Sequence, residues 1–511
     1  MSDASTACAF VGMAEIMNSY FFVGIGGSGM MPLAEIVAAQ GHCVAGSDRS
    51  LDQGRLGAKF EGLAAKGIGL HAQDGSGIVS ADQIVVASAA VEATVPDIVR
   101  ATELGCARLT RAELLAGLFN AAPLGIAVGG TSGKSTVTGM IGWILTQAGR
   151  DPTIMNGALM KNFNSGARVG CGDVFVSEVD ESDGSIALYT PTVAALNNVA
   201  VDHKSMEELR ALFGDFLGRT SSVVVNADNA EALALLPNPV RPELVEARPE
   251  RLPQAASRRG LRFSGAEDRN KDRASTGSAR TVCGMTFGFS KEATLQATDI
   301  VEYPDSVTFT VTHHPAKIAC AARLSVPGCH NVSNALAAIG TVLRAGIELS
   351  EAAAALAGFS GLKRRMETVG SAGGITVIDD FGHNPDKIAA TLSALHAFPG
   401  RLLIYFQPHG YGPLKQMGRE LADSFIANMN TDDRLMVSDP AYFGGTVDRS
   451  VGADALVTMV GSQASYIPDR AGCGTRLVDI AQPGDRIIVM GARDDTLSIF
   501  AAGLLDALAS A

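Results

Sequence analysis

Short, almost wholly apolar runs recur along the chain, each ending in Gly, Asp or Asn and most followed by an Ala/Leu-rich stretch of helical period. They are YFFVGIG (20–26), CVAGSD (43–48), QIVVASA (83–89), GIAVGG (125–130), VFVSEVD (174–180), VAALNNV (193–199) and SVVVNAD (222–228). Later come TVIDDF (376–381), LLIYFQP (402–408), RLMVSD (434–439) and RIIVMG (486–491). Runs of this length are too short for helices. Continuous rather than alternating apolarity marks strands buried on both faces. Strands alternating with helices predict an α/β protein whose parallel sheets are covered by helices on both sides. Three strand-plus-glycine starts divide the chain into predicted domains at 1–120, 121–360 and 361–511. One stretch, 237–280, breaks the pattern: it is rich in Pro, Arg, Ser and Gly and reads as a flexible surface insertion in the central domain.

Composition narrows the class. With 47% hydrophobic and 18% charged residues the 511-residue chain has material for packed cores rather than disorder. A net charge of −12 argues against a nucleic-acid partner. The eight cysteines stand singly, with no C-x-x-C pair, so neither a zinc knuckle nor a disulfide framework is expected. The N-terminus lacks the basic segment of a signal peptide, and no apolar run approaches the roughly 20 residues that span a bilayer. The expectation is a soluble cytoplasmic protein with no membrane partner, acting on small molecules as a monomer or homodimer.

Several motifs carry chemistry. GIGGSG places Gly24, Gly26 and Gly29 in G-x-G-x-x-G spacing between a strand and a helical pattern, with Asp48 after the next strand. Such glycines let the backbone approach a pyrophosphate at a helix N-terminus; NAD, FAD and a UDP-sugar would all fit. GIAVGGTSGKST resembles a phosphate loop one glycine short, since the position expected to open it is Val128. Gly129, Gly130 and Gly133 can still present N–H groups to phosphate, Lys134 can reach the β- and γ-phosphates, and Ser135 can ligate Mg²⁺. Beyond it, SEVDESDGS crowds Glu178, Asp180, Glu181 and Asp183 at a strand end, and Asp202 and His203 end the next unit. Carboxylates beside a phosphate loop suit Mg²⁺. HNVSNALAA opens an Ala-rich helix with His330, Asn331 and Asn334. KRRME and DDFGHNP add Lys363, Arg364, Arg365, Asp379, Asp380 and His383.

Taken in order from about Tyr20 to Gly491, these motifs resemble those of the Mur ligases, the ATP-dependent amide-forming enzymes of peptidoglycan precursor synthesis. Within that family the alanine-adding members come first and the murein tripeptide-recycling members next. The family's ATP loop, G-T-x-G-K-[ST]-[ST], is matched by Gly130, Thr131, Ser132, Gly133, Lys134, Ser135 and Thr136, which accounts for the missing glycine. The resemblance implies three domains: a Rossmann-like UDP-binding domain, a central P-loop ATPase-like domain and a C-terminal Rossmann-like domain for the incoming amino acid. It implies that Gly24, Gly26, Gly27 and Gly29, with Ser47, Asp48 and Ser88, hold a UDP-N-acetylmuramate-like substrate. ATP and Mg²⁺ would be bound through Lys134, Ser135, Glu178 and His203, with His330, Asn331 and Asn334 around the nucleotide. Arg364, Arg365, Asp379, His383 and, in FQPH, His409 would serve the third domain's side of the site.

The implied reaction activates a carboxylate with the γ-phosphoryl of ATP and then aminates it, with L-alanine as the first candidate acceptor and a peptide as the second. The chain departs from the alanine-adding pattern at Ser132, Phe381 and Asn384, and at Gly410 and Pro413, where that pattern has arginines; Lys415 is the replacement cation the segment offers. Two rival readings follow: a non-catalytic nucleotide-binding paralogue, and an NAD-dependent oxidoreductase that would leave Lys134 and Ser135 without a role.

Overall fold

A computed structural model describes residues 17–27, 29–55, 57–88, 91–200, 204–236, 283–440, 449–492, 494 and 496–510. Every one of the apolar runs above contains a strand. The first sheet holds β1 (Ser19–Val23), β2 (Cys43–Ser47), β3 (Gly69–His71), β4 (Gln83–Ala87) and β5 (Arg108–Thr110), all parallel in the order β3-β2-β1-β4-β5. Alternate residues of β1 feed opposite cores. Tyr20 and Phe22 enter one cluster with Leu33, Ile36 and Phe119. Phe21 and Val23 enter another with Ile78, Val85 and Ile98.

The second sheet has ten strands: β6 (Leu124–Gly129), β7 (Thr153–Met160), β8 (Ser165–Arg168), β9 (Val174–Glu178), β10 (Val193–Leu196), β11 (Ser222–Asn226), β12 (Cys283–Gly288), β13 (Leu295–Tyr303), β14 (Ser306–His313) and β15 (Ile318–Leu324). Their order is β15-β14-β13-β12-β11-β10-β6-β9-β7-β8. The third contains β16 (Glu367–Ala372), β17 (Ile375–Asp380), β18 (Leu402–Gln407), β19 (Arg434–Val437), β20 (Ala464–Tyr466) and β21 (Arg486–Gly491), in the order β16-β17-β21-β18-β19-β20. Here too the strands serve two cores, Ile404, Phe406 and Ile488 on one face and Leu403, Tyr405 and Ile487 on the other.

The expected parallel sheets are present, and they also carry antiparallel pairs. β7 and β8 pair antiparallel, as do β16 and β17. The edges of an α/β sheet can take such pairs because a short turn suffices there and no crossover helix is needed. The proposed 237–280 insertion lies wholly within 237–282, outside the described residues.

The chain forms two compact units. Residues up to Phe359 make up most of one, with the first two sheets; residues from Ser360 on, together with 300–308 and 324–332, make up the other. Within the first unit, Phe119 on the helix Arg111–Ala121 is fully buried and meets Phe175 of β9 and Tyr189 edge-on, at 5.7 and 5.1 Å between ring centroids. One apolar cluster thus joins the first sheet to the second. The helix Lys134–Gln147 is held from its far side: the Trp143 indole N–H donates to the Ala355 carbonyl at 2.8 Å.

Phe119→Ala removes the ring at this junction. It should lower the unfolding free energy of this unit by about 3–5 kcal/mol, read from denaturant unfolding. A change within about 0.5 kcal/mol, the range of a surface substitution, would refute a shared core.

Candidate active site

In the ten-stranded sheet β6 lies between β10 and β9, where the order reverses, the point past whose C-terminal strand end α/β sheets place their ligand crevices. The turn 130–133 sits there. Asn198, just after β10, organises it: the Ser132 N–H donates to Asn198 Oδ1 at 2.8 Å, the Thr131 hydroxyl to the same atom at 3.0 Å, and the Thr131 N–H to the Asn198 carbonyl at 3.1 Å. Asn197 Nδ2 donates to the Ser132 carbonyl at 3.0 Å and to Asn334 Oδ1 at 2.9 Å. Gly133 has φ +82°, and a Cβ there would lie 2.4 Å from Asn197 Nδ2 and 2.5 Å from Asn334 Oδ1, so only glycine fits. The helix Lys134–Gln147 begins at this point with no side-chain cap and no acid in its first turn, which includes half-buried Thr136. Such an N-terminus suits an anion.

Two side chains at the head of this helix meet the acidic turn after β9. Lys134 Nζ donates to the Gly130 carbonyl at 2.8 Å and to Glu181 Oε2 at 2.7 Å; both side chains of that ion pair are largely buried. The Ser135 hydroxyl donates to Glu178 Oε2 at 2.7 Å, and Asn156 Nδ2 donates to the Ser135 carbonyl at 2.9 Å. The Glu178 carboxylate occupies the space a side chain at residue 157 would need: a Cβ on Gly157 would lie 1.9 Å from Glu178 Oε1. A serine hydroxyl beside a carboxylate is a hard-oxygen donor pair that fits Mg²⁺. Among the described residues no three His, Cys, Asp or Glu side chains converge as a ready-made metal cage. His203 and Asp202, expected beside this pair, lie outside the described residues.

The first sheet repeats the arrangement at β1, which lies between β2 and β4. The Gly24 and Ile25 N–H groups donate to the Ser47 carbonyl at 2.8 and 2.9 Å, the Gly27 N–H to the Gly24 carbonyl at 3.1 Å, and Gly29 opens the helix Met30–Ala39, again without a side-chain cap. Asp48 accepts the Gly26 N–H and the Ser50 N–H, both at 2.8 Å. Its carboxylate therefore tightens the glycine turn and caps the next short helix. Ser88 lies half-buried just past β4. The Ser47 hydroxyl takes a different place from the one expected: fully buried, it donates to Asp97 at 2.6 Å.

In the second compact unit, His383 follows β17 and His409 follows β18. Their rings meet nearly perpendicular at 5.0 Å, Phe381 meets His383 at 5.3 Å, and the Arg365 guanidinium lies 4.6 Å from the centre of the Phe381 ring. His383 Nδ1 is 2.8 Å from the Phe381 carbonyl, which fixes the proton on Nδ1 in the neutral ring. Burial, then the Lys387 charge, push the His383 pKa down to about 3, against that hydrogen bond; His409 and Arg365 press the same way.

Arg364 and Asp379, expected on the third domain's side of the site, are turned inward instead. The Arg364 guanidinium is buried and donates to Asp379 Oδ1 at 3.3 Å, the Asp494 carbonyl at 3.0 Å and the Gly491 carbonyl at 2.7 Å. Asp379 also accepts from Ser498, and its burial raises its pKa despite the Arg364 charge. Arg364 even holds a left-handed backbone, φ +58°, a conformation tolerated where surrounding bonds over-determine it. Of HNVSN, Asn334 joins the turn 130–133. Asn331 donates to the Pro327 carbonyl at 2.7 Å, and His330 is exposed on the first turn of the helix Cys329–Arg344.

Sequence reading missed Asn156, Gly157, Asn197 and Asn198. The Asn pair was visible in VAALNNV but was absorbed into an apolar run, and Asn156-Gly157 falls inside β7.

Three family profiles match the chain: "Mur ligase family, catalytic domain" over residues 19–122, "Mur ligase middle domain" over 260–342 and "Mur ligase, glutamate ligase domain" over 364–493. The chain is 32% identical to the UDP-N-acetylmuramate–L-alanine ligase of Geotalea uraniireducens, covering 92% of this chain and 94% of that one. It is 34% identical to the enzyme of the same name from Solidesulfovibrio magneticus, covering 94% and 96%. Among solved structures it matches the UDP-N-acetylmuramate–alanine ligase of Thermotoga maritima with a TM-score of 0.70 at 22% identity, over 96% of this chain and 98% of that one. It matches a murein peptide ligase of Psychrobacter arcticus with a TM-score of 0.63 at 21% identity, over 97% and 99%. At these identities the solved structures speak for a shared three-domain α/β fold.

The His383 shift has a checkable sign. Its folded-state pKa of about 3 lies below the ordinary 6.5, so the unfolded chain binds the extra proton between those values. Stability should fall as pH drops from 6.5 toward 3, and His383→Gln should flatten that slope in urea unfolding run across the range. An unchanged slope would mean the ring titrates alike in both states.

Proposed function

The chain belongs to the Mur ligase family, and on that premise we propose that it is an ATP-dependent ligase joining the amino group of L-alanine to the carboxylate of UDP-N-acetylmuramate in peptidoglycan precursor synthesis. The observation that carries this reading is the head of the helix Lys134–Gln147, where Lys134 and the Ser135–Glu178 pair stand beside an uncapped N-terminus. Relatives of that name at 32–34% identity over more than nine-tenths of the chain support the choice of substrates.

A free carboxylate resists amines because its oxygen is a poor leaving group. Transfer of the γ-phosphoryl of ATP to a carboxylate oxygen gives an acyl phosphate and ADP. The amine nitrogen then adds to the carbonyl carbon, loses a proton, and the tetrahedral adduct expels inorganic phosphate to leave the amide. Both substrates arrive as anions, so positive charge must be in place beforehand. Lys134 would trade its bond to Glu181 for phosphate oxygens. Ser135 and Glu178 would hold Mg²⁺, which offsets triphosphate charge when bound. The first-sheet turn with Gly24, Gly26, Gly27 and Gly29 would take the UDP end. His383 and His409, with Arg365, would receive the amino acid; a neutral His383 presents a free Nε2 lone pair to an N–H donor.

The domain limits 1–120, 121–360 and 361–511 belong to the same proposal, with one function for each sheet. So does a cytoplasmic location, where ATP is at hand; no helix among the described residues is long and apolar enough to cross a membrane.

The acceptor end favours one further arm. Gly410 and Pro413 stand where alanine-adding members carry arginines, while the Arg449 guanidinium lies 5.4 Å from the centre of the Tyr411 ring at the start of the same helix. A screen should therefore include murein tripeptide beside the amino acids.

The purified chain should release ADP and phosphate only with ATP, UDP-N-acetylmuramate and L-alanine all present, and Lys134→Ala should cut the rate by about a hundredfold or more. Silence with all twenty amino acids, their D-isomers and murein tripeptide would overturn the reading.

A further inference from the structure

The reading above leaves Arg111 of the first unit without a role. Arg111 opens the helix Arg111–Ala121 directly after β5, and a capping box fixes the backbone there: Thr110 and Glu113 bond each other's N–H groups. The Arg111 side chain crosses to the glycine turn. A Cβ built on Gly29 would lie 3.3 Å from Arg111 Cδ, 3.3 Å from Nη1 and 3.6 Å from Nε, so the guanidinium rests on the one backbone position that opens the helix Met30–Ala39. The absence of a side chain at residue 29 is what admits it. Its acidic partner is loosely held: Arg111 Nη2 and Asp183 Oδ2 are 3.7 Å apart, with side chains 31% and 45% exposed. A pair so open to water is worth little and is easily exchanged.

Asp183 belongs to the same turn as Glu181, which holds Lys134. That turn also feels Arg111 directly. Crowding by protein opposes the Asp180 charge, yet bonds from Ser182, followed by the Lys134 and Arg111 charges, keep its carboxyl below the usual range. One short acidic turn thus parks two cations, Lys134 at the head of the ATP helix and Arg111 at the head of the substrate helix.

Resting on the ligase reading, we propose that Arg111 is the diphosphate-binding cation of the nucleotide-sugar site, held by Asp183 until the substrate's diphosphate displaces that carboxylate. A guanidinium suits the task because its planar fork can give two parallel hydrogen bonds to neighbouring phosphate oxygens. The glycine turn adds backbone N–H groups and a helix N-terminus to the same anion.

Calorimetry on the full chain with UDP, uridine and ATP as separate probes tests this. Arg111→Gln should weaken UDP binding by about tenfold or more while uridine and ATP affinities hold, because only the charged fork is lost. Asp183→Asn should leave UDP binding equal or tighter, since it removes the competitor; weakening that matches Arg111→Gln would instead show a structural fastener and overturn the proposal. Should Arg111→Gln fail to fold by circular dichroism, Arg111→Lys decides. A raised KM for UDP-N-acetylmuramate at unchanged kcat supports the role, and unchanged constants overturn it. If the native chain binds UDP and Arg111→Gln binds it equally, this inference falls while the ligase reading stands. If the native chain binds no UDP, both fall.

Discussion

On the ligase reading proposed above, positive charge must stand ready for anionic substrates without collapsing onto the protein's own acids, and the ion pair between Lys134 and Glu181 is where this chain would meet that constraint. A buried ammonium without a partner would cost several kcal/mol. A partner that held it too well would keep it from phosphate. The compromise is a carboxylate on a neighbouring turn, reached by Nζ at 2.7 Å, with the Gly130 carbonyl sharing the load. Everything that places this pair follows from it: β6 and β9 side by side, Asn198 shaping the turn, and Gly157 giving way so that Glu178 can face Ser135.

The two glycine turns of the first unit are built by the same means. Each follows the strand at which its sheet reverses order, each begins a helix without a side-chain cap, and each depends on glycines where a Cβ would strike a neighbour. The apolar cluster around Phe119 joins the two sheets. The third sheet follows a related plan but sets rings rather than glycines at its strand ends, with His383, His409 and Phe381 gathered beside Arg365.

Much of this was legible from residues alone because burial on both faces leaves so plain a trace. Continuous apolar runs located the central strands of all three sheets, and glycines located the turns after β1 and β6. Strands at or next to the sheet edges left weaker marks: SVTFTVTH, second from its edge, alternates threonines with apolar residues, and β3, β5 and β20 are three residues each. Side-chain direction was not legible at all. Ser47, Arg364 and Asp379 sit in matched motifs, yet each turns into the protein, because a motif fixes spacing whereas partners far along the chain, such as Asp97, Gly491 and Ser498, fix where a side chain goes. Asn197 and Asn198 were hidden for the converse reason, as polar residues closing an otherwise apolar run.

Trp143 gives the architecture an optical consequence. It is the chain's single tryptophan, it rides on the helix whose first residues are Lys134 and Ser135, and its indole is bonded to the Ala355 carbonyl and lies against Phe163. Native tryptophan emission therefore arises from one chromophore on that helix. Any shift of the helix against Ala355 alters the polarity around a single reporter, so on the ligase reading ATP engagement would be followed in unlabelled protein by its tryptophan fluorescence.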